Sequence, residues 1–576
     1  MTGGAPLEFT DAQRALIETS ESTYVEACPG AGKTHAIVER FVARQAMSDR
    51  RRGVALLSFT NAAVDEARRR CSGAPDLMRV PNFVGTIDAF INRFIVSPVY
   101  IARTGGVPTF RDTWASVPGT RITVKGVPGT FGLQWFDVAL DGSATLVLQR
   151  VPPDRRAGIG KLPDDQLERV LAAASAKWKL MISRGVIDSA TSRLLMVRYL
   201  GDEGISHRIR ELVGARFAEV IVDEVQDCTA ADVLLLNTLK GAGLRMICVG
   251  DPDQAIYGFR GSGSSSLQEF LSGLALGQRL NGNFRSSPAI SAIVGSMRYG
   301  AESDAAIGVA ASITEPVLVT VFRKPGQVRS AVASILQDRG IPESDAIVLA
   351  HALATSRGCA GAGGATRSTD SRLVSLALAV HRFHAASSPP ASRRDAARQF
   401  EKLIYELGAG EQSISDYLAD RGITERSFQY RCLRILTGLN APFDQAPSLF
   451  RAALIGLLGS HQVLGVKVSM LRTPNGDKWP QRPSQDATAL AHATIHGFKG
   501  LQHRAVVLIL PQTQGESSAD DGVEQWLSGR MGESRRVLYV GASRAEELLI
   551  LATHESSKDR VLERLAKDGV EYVVHD

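Results

Sequence analysis

The stretch Thr23-Tyr-Val-Glu-Ala-Cys-Pro-Gly-Ala-Gly-Lys-Thr-His35 decides the reading of the fold. Thr23–Ala27 reads as a strand, and a helix starts at His35. Between them runs the loop Ala27, Cys28, Pro29, Gly30, Ala31, Gly32, Lys33, Thr34. Small residues let successive backbone N–H groups point at phosphate oxygens. In such a loop Lys33 reaches the β- and γ-phosphates and the Thr34 hydroxyl holds Mg²⁺. The helix N-terminus at His35 adds its dipole. The pattern usually begins with Gly, and here Ala27 takes that place.

The second half of the same chemistry lies in Phe217-Ala-Glu-Val-Ile-Val-Asp-Glu-Val-Gln-Asp227, a hydrophobic strand that ends in paired carboxylates. Asp223 is expected to coordinate Mg²⁺ and Glu224 to orient and deprotonate the attacking water. Alone the acidic strand end is weak, because many strands run into a charged turn. Joined to a phosphate loop it becomes half of one site for ATP and Mg²⁺.

Working outward, Val54–Phe59, Val220–Val222, Arg245–Val249, Ala346–Leu349, Val506–Leu510 and Leu548–Leu551 read as strands buried on both faces. Helical patterns such as His35–Met47 and Ala62–Arg70 lie between them, and this alternation predicts parallel α/β layers. Two stretches interrupt it. The first holds a Pro/Gly-punctuated β-like part, Arg121–Arg150, and a helical part, Asp164–Arg184. The second begins with the run Gly358–Thr369, continues with amphipathic helices, and closes on the Pro-rich Pro474–Ser484. Both read as insertions into two α/β cores.

Bulk properties fit that picture. At 576 residues the chain is too long for one compact domain, and three or four are expected. A hydrophobic fraction of 44% and a charged fraction of 22% are ordinary for a globular protein. The net charge of +6 and the pI near 9.0 fit a nucleic-acid partner without demonstrating one. The 6 cysteines have no CxxC pairing, which argues against a zinc ribbon, a cluster or a disulfide framework and points to a reducing, cytoplasmic compartment. No signal peptide and no membrane-length apolar run are read.

The phosphate loop joined to DExQD resembles the UvrD/Rep/PcrA helicases of superfamily 1A, and further motifs of that family follow in order. Phe9-Thr-Asp-Ala-Gln13 resembles the Q motif, Ser58–Ala63 motif Ia, Gly85–Phe90 motif Ib and Val249–Gly261 motif III. Asn283–Ser286 resembles motif IV, Thr494–Leu501 motif V and Arg535–Ala545 motif VI. The resemblance implies two RecA-like cores, each interrupted by a largely helical insertion. Core 1A is then 1–95 and 206–280, insertion 1B 96–205, core 2A 281–352 and 488–576, and insertion 2B 353–487. It implies that Gln13 reads adenine, Phe284 stacks on it, Gln254 senses the γ-phosphate, and Arg285 and Arg544 insert charge into the transition state. It places Phe59, Thr60, Asn61, Thr86, Tyr257, Phe259, Arg260 and His496 on a single-stranded DNA track. Four departures stand out. Phe259 takes the place of the usual Trp, Asp88 that of the usual His, and Gln502 that of the usual Glu after motif V. His35 stands where relatives often have Arg. None of the last three is expected to touch hydrolysis directly.

Other features read more plainly. His492 and His496 are four apart but lack a third ligand, so no metal site is assigned to them. Arg50–Arg52 and Arg68–Arg70 read as solvated charge, and Trp114, Trp135 and Trp178 as core. The expected function is an ATP-dependent DNA helicase moving 3′→5′ on single strands and at single/double-strand junctions, with a loading or nuclease protein as further partner. One alternative is a DNA-stimulated translocase that strips proteins but barely unwinds, as a specialised phage-encoded or phage-defence subunit. Another is a nucleic-acid-binding scaffold with a regulatory nucleotide site. The complete set Lys33, Glu224, Gln254 and Arg544 counts against the scaffold.

Overall fold

The computed structural model describes residues 9–47, 51–59, 61–71, 75–117, 119–256, 265–298, 304–362, 371–384, 390–409, 414–440, 442–443, 445–474, 479, 489–512 and 521–575. The chain divides into two compact units. One comprises Met1–Val99, Met196–Gly364 and Ala487–Asp576, and the other Tyr100–Leu195 and Ala365–Asp486.

The first unit holds two six-stranded sheets. Strands β1 (Thr23–Glu26), β2 (Gly53–Ser58), β3 (Phe83–Thr86), β4 (Phe217–Asp223), β5 (Arg245–Gly250) and β6 (Ala275–Leu276) form the first, in the order β6-β1-β5-β4-β2-β3. Every pairing is parallel, so all C-terminal strand ends lie on one edge. Val25, Val249 and Asp223 stand level across β1, β5 and β4. The three loops that follow those strands are therefore neighbours, the usual place for a ligand in an open α/β sheet.

Strands β7 (Val317–Phe322), β8 (Ala346–Ala350), β9 (Ala491–Thr494), β10 (His503–Leu510), β11 (Ala545–His554) and β12 (Tyr572–His575) form the second sheet, in the order β9-β8-β10-β11-β7-β12. It too is entirely parallel. Its side chains alternate between two apolar clusters. Val317, Val319, Val506, Leu508, Leu549 and Leu551 pack on one face, and Leu318, Val507, Ile509, Leu548 and Ile550 on the other. Period-two alternation with both faces covered is why these runs read as continuous apolar stretches in sequence. Strand β7 carries the same pattern, whereas β12 at the sheet edge turns Tyr572 and Val574 to the core and leaves Val573 exposed.

Polar anchors fix the helices. Arg40, on the helix Lys33–Met47, is fully buried and donates to both oxygens of Glu219 on β4, at 2.7 and 2.9 Å. That pair locks the helix after the phosphate loop against the sheet. Arg535 is buried as well and donates to the carbonyls of Ser296, Met297 and Arg298, the last acceptors of the helix Pro288–Met297.

The second unit gathers most of the two stretches read in sequence as insertions. In Tyr100–Leu195, Trp114, Trp135 and Trp178 are buried in one core around the helix Asp164–Ser183. In Ala365–Asp486, the helices Arg372–His384, Pro390–Ala409, Glu425–Gly438 and Pro447–Gly459 pack around Phe400, Tyr417, Phe428 and Phe450. Ion pairs join the two parts: Arg398 with Asp112 at 2.6 Å, Arg121 with Glu406 at 2.8 Å, and Arg111 with Glu425 at 2.8 Å. The helix Glu203–Arg216, most of it expected in core 1A, and the helix Leu353–Cys359, expected at the start of insertion 2B, both belong to the sheet-bearing unit. The first packs on β4 and the second on β8 and β9, so burial against a sheet decides their membership.

Candidate functional site

The phosphate loop owes its shape to two glycines. Gly30 and Gly32 adopt φ of +74° and +69°, a conformation that favours residues without a Cβ. A Cβ on Gly30 would lie 2.1 Å from Asn283 Oδ1, and one on Gly32 2.7 Å from Gln13 Nε2. Ala27 is tolerated where Gly is usual because its backbone is still strand-like: it bridges Leu280, and its N–H donates to the Gly250 carbonyl at 3.0 Å. Burial pushes the Cys28 thiol up to about 12, so Cys28 is a small packing residue and not a nucleophile.

Lys33 Nζ lies 3.5 Å from Glu224 Oε1. Burial works against its charge, but Glu224, Asp251 and Asp223 outweigh it and keep the ammonium protonated. Glu224 is the one non-glycine residue with positive φ among the described residues, at 56°. A strained backbone that orients a carboxylate is typical of a working residue. Burial pushes the Glu224 carboxyl up, but Lys33 and Lys499 pull it well below the usual carboxylate range, with Gln226 donating to Oε2. Its neighbour Asp223 goes the other way, raised by burial and by the Glu224 charge. One carboxylate is thus held ionised, while for the other burial and its neighbour's charge outweigh Lys33 and the Glu224 N–H 3.0 Å away. Asp223 and Thr34 line one small cavity together with Ser58. A hydroxyl and an electron-rich carboxylate in one cavity suit a hard divalent cation.

The second sheet brings cations to the same place. Arg544 donates from Nη2 to Gln254 Oε1 at 2.9 Å and from Nε to the Val540 carbonyl at 3.0 Å. Arg285 donates to Gln502 Oε1 at 2.8 Å and to the Ser543 carbonyl at 2.9 Å. Burial, then the Arg285 charge, pushes Arg544 down to about 9, and burial lowers Arg285. A buried Arg544 beside a half-buried Arg285, both with depressed pKa in spite of nearby carboxylates, would gain from the added negative charge of a polyphosphate. Gln502, which stands where Glu is usual after motif V, is the acceptor for Arg285.

Gln254 is held at both ends of its amide. Nε2 donates to Asp251 Oδ2 at 2.8 Å while Oε1 receives Arg544. The same Asp251 oxygen accepts from the Tyr539 hydroxyl at 2.9 Å. Gln13 is likewise engaged, accepting from the Thr10 N–H at 3.0 Å and donating to the Ala31 carbonyl at 2.9 Å. It ties the first helix to the phosphate loop, and each amide atom keeps capacity for one more bond. The Phe284 ring faces Gly32 and Gly308, and the His35 ring packs 4.7 Å from Phe9.

On the expected DNA track, Phe59 is half-buried just beyond β2, and Thr86 caps the helix Ile87–Phe90. His496 lies 3.2 Å from the Ile256 carbonyl, to which Nε2 must donate. The side chain of Asn61 and residues Thr60, Tyr257, Phe259 and Arg260 lie outside the described residues. His492 lies near the Leu490 carbonyl, and no metal-holding cluster occurs among the described residues. Arg68 pairs with Asp65, and Arg69 and Arg70 with Glu66, all on the surface. Among the described residues no helix is long and apolar enough to cross a membrane.

Sequence reading gave no role to Lys499, Asp227, Asp251 and Tyr539. Each lies inside a quoted motif, but only its partner across the fold reveals its part.

Parallel strands ending in a phosphate loop and paired carboxylates define an α/β protein of the P-loop class. Residues 9–104 and 163–274 match the UvrD/REP helicase N-terminal domain. DNA helicase II of Salmonella typhimurium is 38% identical over 77 residues, which is 13% of this chain and 11% of that protein. The ATP-dependent DNA helicase UvrD1 of Mycobacterium leprae is 24% identical over 277 residues, 45% of this chain and 35% of its own length. DNA helicase II of Escherichia coli is 36% identical over 77 residues, 13% of this chain and 11% of that protein. Over these segments the chain is similar to the UvrD/Rep helicases. The shared segments span between 11% and 35% of these relatives' lengths.

Proposed function

We propose that the chain is an ATP-dependent DNA helicase, moving 3′→5′ on single-stranded DNA and opening single/double-strand junctions. Its two sheets serve as RecA-like cores 1A and 2A, and its helical unit comprises insertions 1B and 2B. One observation carries the reading. Lys33, Asp223, Glu224 and Gln254 from the first sheet meet Arg544, which leads into β11 of the second, and Arg285, which precedes the helix Pro288–Met297, in one cluster joined by hydrogen bonds and ion pairs. A binding scaffold has no use for a complete hydrolytic set.

The roles follow from the chemistry. The loop Ala27–Thr34 cradles the phosphates, with His35 at the helix start and Gln13 and Phe284 beside the base. Lys33 exchanges Glu224 for the β/γ-phosphates. Thr34 and Asp223 would hold Mg²⁺, which neutralises phosphate charge when bound. Glu224 accepts the proton of the attacking water. A γ-phosphate competes with Gln254 for Arg544, so nucleotide occupancy changes contacts between the two sheets. Phe59, Thr60, Asn61, Thr86, Tyr257, Phe259, Arg260 and His496 are assigned to the strand track, where bases stack without sequence readout.

ATPase and strand displacement on 3′-tailed, 5′-tailed and blunt duplexes, DNA and RNA, test the reading. Displacement of 3′-tailed DNA alone is the expected result. DNA-stimulated ATPase without displacement assigns the chain to the translocases. No ATPase under any condition rejects the motor.

A further inference from the structure

Lys499 follows the turn His496–Phe498, which begins two residues after β9. Its side chain is 5% exposed. The ammonium donates to both oxygens of Asp227, at 2.7 and 2.8 Å, and to the backbone carbonyl of Gln254 at 2.8 Å. Asp227 ends the turn Val225–Asp227, directly after Glu224, and Gln254 ends the turn Pro252–Gln254 beyond β5. One ammonium of the second sheet therefore grips the two turns of the first sheet that carry the general base and the γ-phosphate amide.

A buried ion pair is a poor source of stability, because desolvation cancels most of the attraction; its better-attested use is to fix register. Here the register is specific. The carbonyl held by Lys499 belongs to the residue whose side-chain amide meets Arg544, so backbone and side chain of Gln254 are both tied to the second sheet.

We propose that Lys499 is a positioning residue for ATP hydrolysis, holding Gln254 and the Glu224 turn in register with the arginines of the second sheet through Asp227 and the Gln254 carbonyl. The inference rests on the ATPase reading of the site. Removing the ammonium leaves Asp227 buried without a counter-charge and frees the Gln254 turn. Removing both charges relieves the first defect and keeps the second.

The test compares the full-length wild type with Lys499→Met, Asp227→Asn, the double variant and Lys499→Arg. Steady-state ATPase is measured with and without a single-stranded oligonucleotide, beside thermal melting. Lys499→Met is expected to melt lower, and the double variant to regain the wild-type midpoint. In the double variant the DNA-stimulated kcat stays down about tenfold or more, with KM for ATP within about threefold, the signature of a lost transition-state arrangement. Lys499→Arg keeps the charge and the fold and shows the same kcat loss, because a planar fork seated on Asp227 moves its N–H away from the Gln254 carbonyl. Recovery of kcat together with melting in the double variant, or full kcat in Lys499→Arg, overturns the inference alone. A wild type that hydrolyses no ATP overturns the site reading as well.

Discussion

In the proposed nucleotide cleft, Lys499 and Asp227 meet at 2.7 Å with 5% and 4% of their side chains exposed, whereas in the helical unit Arg398 and Asp112 meet at 2.6 Å with 53% and 76% exposed. The geometry is the same and the physical meaning differs. Breaking a buried pair strands a charge away from water and costs about 3–5 kcal/mol. An exposed pair is screened and contributes about 0–1 kcal/mol. The two regions differ in balance as well: the half-buried Arg285 and the buried Arg544 have depressed pKa in spite of the nearby Glu224, while along the insertion seam Arg398, Arg121 and Arg111 each form a close ion pair with a carboxylate. A buried cation whose desolvation its neighbours only partly offset would gain from a bound anion. Compensated surface charge marks an assembly.

The strongest way to break this comparison is to remove the cleft's own charges. Lys33→Ala should lower ATP turnover by about 10³-fold or more, since the phosphates lose their charge partner. Glu224→Gln should lose hydrolysis to a similar extent and keep ATP binding, because the amide cannot accept the water's proton. Equilibrium binding of a fluorescent ATP analogue beside turnover separates the two. Loss of binding in Glu224→Gln makes that residue structural.

Next comes Arg544→Ala, expected to lower kcat by about 10²–10³-fold with little change in KM, as its contact strengthens while charge develops. Arg285→Ala should follow the same pattern. Variants of both that alter KM alone contradict the assignment of catalytic arginines.

The helical unit should respond far less. Burial pushes the half-buried carboxyl of Glu401 up to about 7, Arg398 and Arg111 opposing and Glu425 adding. The folded form therefore holds a proton that the unfolded chain releases near pH 4.3. The stability this contributes is complete at low pH and lost as pH rises through about 7. Between pH 5 and 8 the wild type should lose about 1 kcal/mol more than Glu401→Gln, allowing for solvent screening. Equal pH slopes for the two proteins in melting experiments dismiss the effect. Smallest of all, Arg398→Ala should change stability by less than about 1 kcal/mol. A larger loss shows that the seam is less solvated than its exposure indicates.

How much of this was readable beforehand follows from the range of the interactions. Lys33, Thr34, Asp223 and Glu224 announce themselves because a phosphate loop and an acidic strand end are local patterns, each set within a dozen residues. The apolar runs of β4, β5, β10 and β11 are equally local, since strands covered on both faces need apolar residues at every position. Their parallel order then brings Gln254 beside the other two loops. Tertiary structure alone decided the rest. Lys499 and Asp227 are 272 residues apart, Tyr539 and Asp251 are 288, and Arg285 and Gln502 are 217. It also placed most of the two stretches read as insertions in one unit and gave the helix Leu353–Cys359 to the second sheet. A sequence pattern carries the periodicity of one element. Which charge another element brings to it depends on how the sheets pack, and no local spacing encodes that.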